Sequence, residues 1–239
     1  MPRPYGPWTL DFELTMKVDM HCHTRLSKDS LNDPRRLAHV AAERGLGALC
    51  VTDHNGLANA LALSRMPDLP IKVVPSEEVK TSEGEIIGYF LSELVPKGLS
   101  PEETVQRIKD QGGLVGVPHP FDSMRAASRL QTPALERLVG AGLVDILEVF
   151  NARAANNADN DKARKYAEDH GLAMSAGSDA HTLMEVGRAY VELDDFATPA
   201  AFLANLRAGQ VHGQLSSNLV HLGSVWARLV KVVRTEDEV

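Results

Sequence analysis

Seven short apolar runs, most of them ending in a polar or titratable residue, constrain this chain more than any other feature. They are "MKVDMH" at 16–21, "GALCVTD" at 47–53, "IKVVPS" at 71–76, "EIIGYFL" at 85–91, "GLVGVPH" at 113–119, "VDILEVF" at 144–150 and "LAMSAG" at 172–177. Helix signals fall between them. Asp33 caps before Pro34, with Leu37, Val40 and Ala41 on one face. In "SPEETVQRIKDQGG", Ser100 caps, Pro101 takes the first helical position, Glu103 completes a capping box and Gly112 stops the helix. "TPALERLVGAG" and "NADNDKARKYAEDHG" continue the pattern, each stopping at glycine. Strands and helices repeating in this way predict a mainly parallel sheet, and about seven strands suggest closure into a barrel. A chain of 239 residues accommodates such a barrel as a single domain over 1–239, and no linker or low-complexity stretch divides it. "AAFLANLRAGQ" and "SVWARLVKVVR" read as further amphipathic helices packed on the barrel, and "TEDEV" as a frayed tail.

Composition narrows the function. The hydrophobic fraction of 44% and charged fraction of 24% are those of a soluble globular protein. With a net charge of -7, scattered Lys and Arg, and 5% aromatics, neither a basic groove nor a base-stacking platform can be read from composition, so no general nucleic-acid binding is expected; a small phosphorylated substrate stays open. No apolar run approaches the roughly 18 residues of a membrane span. The start "MPRPYGPWTLDFELTM" lacks the order of a signal peptide. Cys22 and Cys50 sit in apolar strands, poor material for a disulfide framework, and a reduced cytoplasmic setting fits best. Nothing in the sequence sets an oligomeric state.

The polar residues can then be placed. Side chains i and i+2 of a strand share a face, so Asp19, His21 and His23 project together while Met20 and Cys22 point the other way. Asp53-His54 follows the second run, Glu77-Glu78 the third, His119 ends the fifth, and "GSDAH" sets Asp179 and His181 after the seventh. In an α/β barrel those strand ends meet at one rim. Each residue alone has an ordinary reading as packing, turn, cap or solvated carboxylate. Together they would crowd and repel one another unless a divalent cation compensated, and mixed imidazole and carboxylate donors suit zinc, manganese and iron about equally. Asp19 and Asp53 read either as partners that orient the histidines or as strand-end and turn carboxylates. Arg153, Arg125 and Arg25 follow the same motifs and could pair with phosphate oxygens, the solvated surface being the alternative for each. His39, His170, His212 and His221 read as structural or surface residues. No G-x-S-x-G elbow or P-loop offers another route to catalysis.

In order and spacing, "DMHCHT", "VTDHN", "EEVKT", "GVPHPFD", "EVFNAR" and "SAGSDAH" resemble the motifs of the PHP (polymerase and histidinol phosphatase) family, over about 17 to 190. The resemblance implies a distorted seven-stranded (β/α)7 TIM-like barrel of the PHP type, holding two or three clustered divalent metals, usually manganese, iron or zinc. It implies that His21 and His23 share one metal with Glu78 and Asp179, that Asp29, His54 and His181 hold another, and that Glu78 bridges to a third near His119. The implied activity is hydrolysis of a small phosphorylated substrate by a metal-activated hydroxide held by Glu78, Asp179 and His119. Several positions depart from the family pattern. Ser76 stands where a glycine usually precedes the bridging glutamate, and Glu77 competes with Glu78, which fits the spacing to "VKT" better. Glu85 replaces a histidine, Asn151 stands where others often have histidine, and "SKDS" stretches the usual "SDG" around Asp29. The third metal site is thus weaker, differently filled or absent. Two other readings share the metal centre: an amidohydrolase cleaving C–N or C–O bonds, and a non-catalytic regulatory module.

Overall fold

The computed structural model describes residues 15–217 and 220–236, with the side chains of His221 and of 234–236 outside that description. The chain start read for a signal peptide lies largely outside the described residues, as does the end of "TEDEV". The elements run β1 (Thr15–Cys22), α1 (Pro34–Glu43), β2 (Ala48–His54), α2 (Ala58–Ser64), β3 (Lys72–Thr81), β4 (Gly84–Tyr89), α3 (Pro101–Asp110) and β5 (Leu114–Val117). They continue α4 (Thr132–Gly140), β6 (Ile146–Asn151), α5 (Asn157–His170), β7 (Ala173–Gly177), β8 (Ala189–Asp194), α6 (Pro199–Ala208), β9 (Gln210–Gly213) and α7 (Val220–Glu236). The expected caps form: Asp33 accepts a hydrogen bond from Arg36 N at 3.1 Å, and Ser100 and Glu103 close a capping box. Gly171, at φ +65°, ends α5 in the left-handed conformation that glycine adopts without penalty.

Among the described residues the sheet has nine strands rather than the seven expected, in the order β7-β6-β5-β4-β3-β2-β1-β8-β9. The expected parallel character holds for only half of the pairings, since β3–β4, β4–β5, β1–β8 and β8–β9 are antiparallel. The reason is chain length. β3 runs on to Thr81 and β4 begins at Gly84, too short a link for anything but a hairpin. β8 and β9 are short and partly exposed, and they extend the sheet from the free edge of β1. At its other end the sheet curls back to β1. Just past β7, Asp179 N donates to His21 O at 2.7 Å and His23 N donates to Ala180 O at 3.0 Å, leaving a nearly closed barrel. Gly177 permits this approach, because a Cβ there would lie 2.2 Å from His21 Cβ.

Two apolar layers hold the barrel together. On its outer face Leu49, Val51, Val115 and Leu147 pack under Leu37, Ile108 and Leu135 of the helices, each fully buried and contributing on the order of 2 kcal/mol. The interior is filled by Val18, Ala48, Cys50, Val74, Ile87 and Tyr89. Phe196 and Phe202 close the end where the parallel strands begin, near the first residue of β3, whose Lys72 Nζ donates to Phe196 O at 3.0 Å. The opposite end is left to polar side chains.

The strict alternation expected along β1 is broken. Met20 packs with Val18 in the interior, whereas Cys22 packs on the outer face, so the two do not share a side. A register shift between Asp19 and Cys22 in the pairing with β2 flips the facing, and it is this irregularity that turns His21 and His23 inward. Cys22 and Cys50 are both free and buried.

Candidate metal centre

At the polar end, four side chains from three segments converge. His21 and His23, from the end of β1, bring their Nε2 atoms within 3.1 Å of each other. Asp179, just past β7, sets Oδ1 3.2 Å from His23 Nε2 and 3.7 Å from His21 Nε2. Glu78, in the middle of β3 rather than after it, places Oε2 3.5 Å and 3.6 Å from the same two nitrogens. A second group adjoins it: Asp29 Oδ1 lies 3.3 Å from His181 Nε2 and 3.7 Å from His54 Nε2. Glu78 also connects to a third, with Oε1 3.1 Å from His119 Nε2 and Oε2 2.9 Å from His54 Nδ1. Glu85, on β4, reaches to 3.8 Å from His119 Nε2. All eight residues expected as metal ligands are thus brought together, with Glu85 beside them.

The electrostatics are those of a site built around cations. Burial pulls the His21 imidazole down, but Asp179, Glu148 and Glu78 outweigh it and hold its pKa well above the ordinary value. Burial likewise lowers His54, and Glu78 overcomes it to raise the group to about 9. His23 is driven well down by burial and by the His181 and His54 rings. Glu78 stays ionised despite burial because His54 and His21 face it, and Asp179 because Arg125 and His21 do. Buried Asp29 Oδ1 and Glu78 Oε2 have no hydrogen-bond partner. Orphaned carboxylate oxygens facing several imidazoles fit divalent cations, which would displace the protons held on His21 and His54. Among the described residues, three groups have ligand atoms mutually within 4.8 Å: His23, His54 and His181; His21, His23 and Glu78; and His54, Glu78 and Glu85.

Two of these residues are held in strained backbone: His119 at φ +31° and Asp179 at φ +53° are in the left-handed region that non-glycine residues rarely occupy. Such strain persists only where surrounding structure imposes it, and it is concentrated at functional sites.

The two neighbouring glutamates face opposite ways. Successive strand residues face opposite sides, and while Glu78 points into the site, Glu77 points away and accepts Val95 N at 2.9 Å. Burial raises Glu77 from 4.5 to about 7. A carboxyl with a raised folded pKa stabilises the protein fully below its unfolded value, and this contribution, about 3 kcal/mol at most, is lost as pH rises through about 7. Glu77→Gln keeps an acceptor for Val95 and removes the titration. In thermal melts the variant should exceed wild type at about pH 8.5, and the advantage should shrink toward about pH 5. An advantage independent of pH would contradict this.

Among the described residues, Asp19 and Asp53 bond no imidazole. Asp19 accepts from the backbone of Ser178, Gly187 and His21, tying the segment that carries Asp179 to β1. Asp53 accepts from Thr24 and Ser27, and Ser27 Oγ in turn lies 3.1 Å from His23 Nδ1, so it braces that ring at one remove. Asn151 donates to Glu148 at 3.0 Å and to Asp179 Oδ2 at 3.2 Å, which makes it a support for its neighbours.

Glu148 is one of the residues that sequence reasoning missed. It sits inside "EVFNAR", and its Oε1 lies 3.0 Å from His21 Nδ1 while Oε2 accepts His119 N at 2.8 Å. A carboxylate behind a metal-facing histidine fixes the ring and raises its basicity. Glu148→Gln should cost about 10–100-fold in metal affinity, read by competition with a chromophoric chelator. An unchanged affinity would remove Glu148 from the site.

The three expected arginines separate. Arg125 lines the cleft of about 310 Å³ over the centre and pairs with Asp179 Oδ2 and Asp122. Arg153 also lines it but is buried, bonding Glu185, Ser224 and the His181 ring. Arg25 is an exposed surface residue paired with Asp33 and does not line the cleft. A further arginine, Arg228 of α7, reaches in to donate to Asp29 Oδ2 at 2.7 Å. His39, His170 and His212 lie outside the cluster, His170 and His212 making local contacts on α5 and β9.

A barrel whose strand ends gather clustered imidazole and carboxylate donors defines a metal-binding class of α/β protein. Comparison with known proteins places it further. The PHP domain family matches residues 19–95, and its PHP-associated region matches residues 157–211. An uncharacterized protein of Methanocaldococcus jannaschii is 38% identical over 181 residues, 75% of this chain and 71% of that one. A two-domain protein of Bacteroides vulgatus containing a predicted PHP-like metal-dependent phosphoesterase superposes with a TM-score of 0.69 at 20% identity, covering 84% of this chain and 65% of the other. An amidohydrolase of Chromobacterium violaceum, solved with bound sulfate and no metal, gives 0.56 at 20% identity over 79% of this chain and 96% of its own. This chain belongs to the PHP family.

Proposed function

We propose that the protein is a metal-dependent phosphoesterase acting on a small phosphorylated substrate, with two or three divalent ions, manganese, iron or zinc, at the centre described above. The observation that carries this is the convergence of buried His21, His23 and Glu78 on Asp179, which lines a cleft that also presents Arg125 and Arg228. When bound, the ions would neutralise phosphate charge and supply an activated water. The chain's own residues do the rest. His21, His23, Glu78 and Asp179 would hold one ion, Asp29, His54 and His181 a second, and Glu78 with His119 and Glu85 a third. Arg125 keeps guanidinium donors for phosphate oxygens beyond those on Asp179 and Asp122. Arg153 positions His181 and anchors α7 through Ser224. On this reading the chain acts as one domain, in a reduced cytoplasmic setting that agrees with its two free, buried cysteines. Among the described residues, no helix is long and apolar enough to cross a membrane.

The Chromobacterium amidohydrolase shares the barrel, so C–N or C–O cleavage is the second reading. A panel of aryl phosphates, phosphodiesters, amides and lactones, assayed with added manganese in wild type and Asp179→Ala, separates them. Phosphate release in wild type, lost by about 10³-fold in the variant, is expected. Amide or lactone cleavage without phosphate release would replace the proposal with the second reading.

A further inference from the structure

The cleft over the metal centre continues into a second groove of about 530 Å³, and the two share Asp29, His54, Glu85 and Arg228. The groove adds Lys28, Lys80 and Lys97 to its lining. In a chain of net charge -7 this gathers four cations against two carboxylates, and each carboxylate is shared between a cation of the groove and a metal-facing histidine: Asp29 between Arg228 at 2.7 Å and His181, Glu85 between Lys80 at 4.0 Å and His119. Lys80 is engaged, donating to Ala127 O at 2.8 Å. Lys28 and Lys97 are exposed and form no hydrogen bond or ion pair within the described residues. Metal ions at the centre would neutralise Asp29 and Glu85, leaving the groove cationic beside the position of the reacting phosphate.

We propose that the substrate is a small phosphoester carrying a second anionic group, and that Lys28 and Lys97 are the specificity-determining residues that receive it. The proposal rests on the phosphoesterase reading. A small molecule is favoured over a polynucleotide because the groove's lining carries no Phe, Tyr or Trp to stack a base.

The test uses the manganese-loaded protein and a graded series of alkanediol bisphosphates with their matching alkyl monophosphates. One chain length should exceed its monophosphate by roughly tenfold in kcat/KM, mainly through KM, and the preference should weaken as salt rises because both lysines are exposed. In the Lys28→Glu/Lys97→Glu double variant the preference should fall below about threefold. Lys162→Glu/Lys165→Glu, the same charge change at two exposed positions of α5, should retain it. Calorimetric binding of the corresponding non-hydrolysable bisphosphonates and monophosphonates, in wild type and the double variant, reads the same preference without turnover. A flat series, an equal loss on both substrate classes, or a preference confined to 5′-phosphorylated oligonucleotides would overturn the inference. If nothing in the series is hydrolysed while the bisphosphonate preference persists in wild type and collapses in the double variant, the phosphoesterase reading fails and the lysine assignment stands.

Discussion

Glu78→Gln should empty the centre of most of its metal and lower phosphoester turnover by about 10³-fold or more. Glu78 faces more of the cluster than any other carboxylate here, with contacts to His54 at 2.9 Å, His119 at 3.1 Å, His21 at 3.5 Å and His23 at 3.6 Å. Glutamine preserves the shape but replaces an anionic donor by an amide that turns an N–H₂ group toward the imidazoles. With the charge gone, His21 and His54 lose one of the partners that raise their affinity for protons. Elemental analysis and steady-state kinetics on the variant measure both effects. Metal content and turnover within tenfold of wild type would mean that the reacting centre lies elsewhere.

Removing the metal should also soften the fold. Without cations, two buried imidazoles face each other at 3.1 Å, and orphaned oxygens of Asp29 and Glu78 remain buried. Ions that bind only the folded chain add about 4 kcal/mol when present at 1,000 times their Kd. For a domain of this size that corresponds to about 10 °C in Tm. Calorimetric scans before and after exhaustive chelation should show a drop of this order, reversed by manganese or zinc. An unchanged Tm would mean that the cluster is held by the surrounding hydrogen bonds alone.

Much of this was readable from the chain. His21, His23, His54, His119, Asp179 and His181 announce themselves because titratable residues following apolar strands are conspicuous, and barrel geometry takes those ends to one rim. What stayed hidden depends on contacts between distant segments. Glu148 looks like an ordinary strand residue until the curl of the sheet sets it behind His21, 127 positions away. Arg228 belongs to a helix that reads as amphipathic packing, and only the docking of α7 across the rim brings it to Asp29. The facing of Met20 and Cys22 was misread because a register shift in β1 cannot be inferred from period-two alternation. The two added strands escaped for a related reason: β9 is four residues long and lacks an apolar run. Arg25, although it follows "HCHT", is turned outward to Asp33 by the cap of α1.

The central claim is that the clustered histidines and carboxylates hold catalytic metal. Elemental analysis of the purified protein, paired with hydrolysis of an aryl phosphate, tests it most directly. Two or three divalent ions per chain, with phosphate release that disappears on chelation and returns with manganese, is the result expected. A protein that carries no stoichiometric metal, or that hydrolyses the phosphate equally well after chelation, would contradict it.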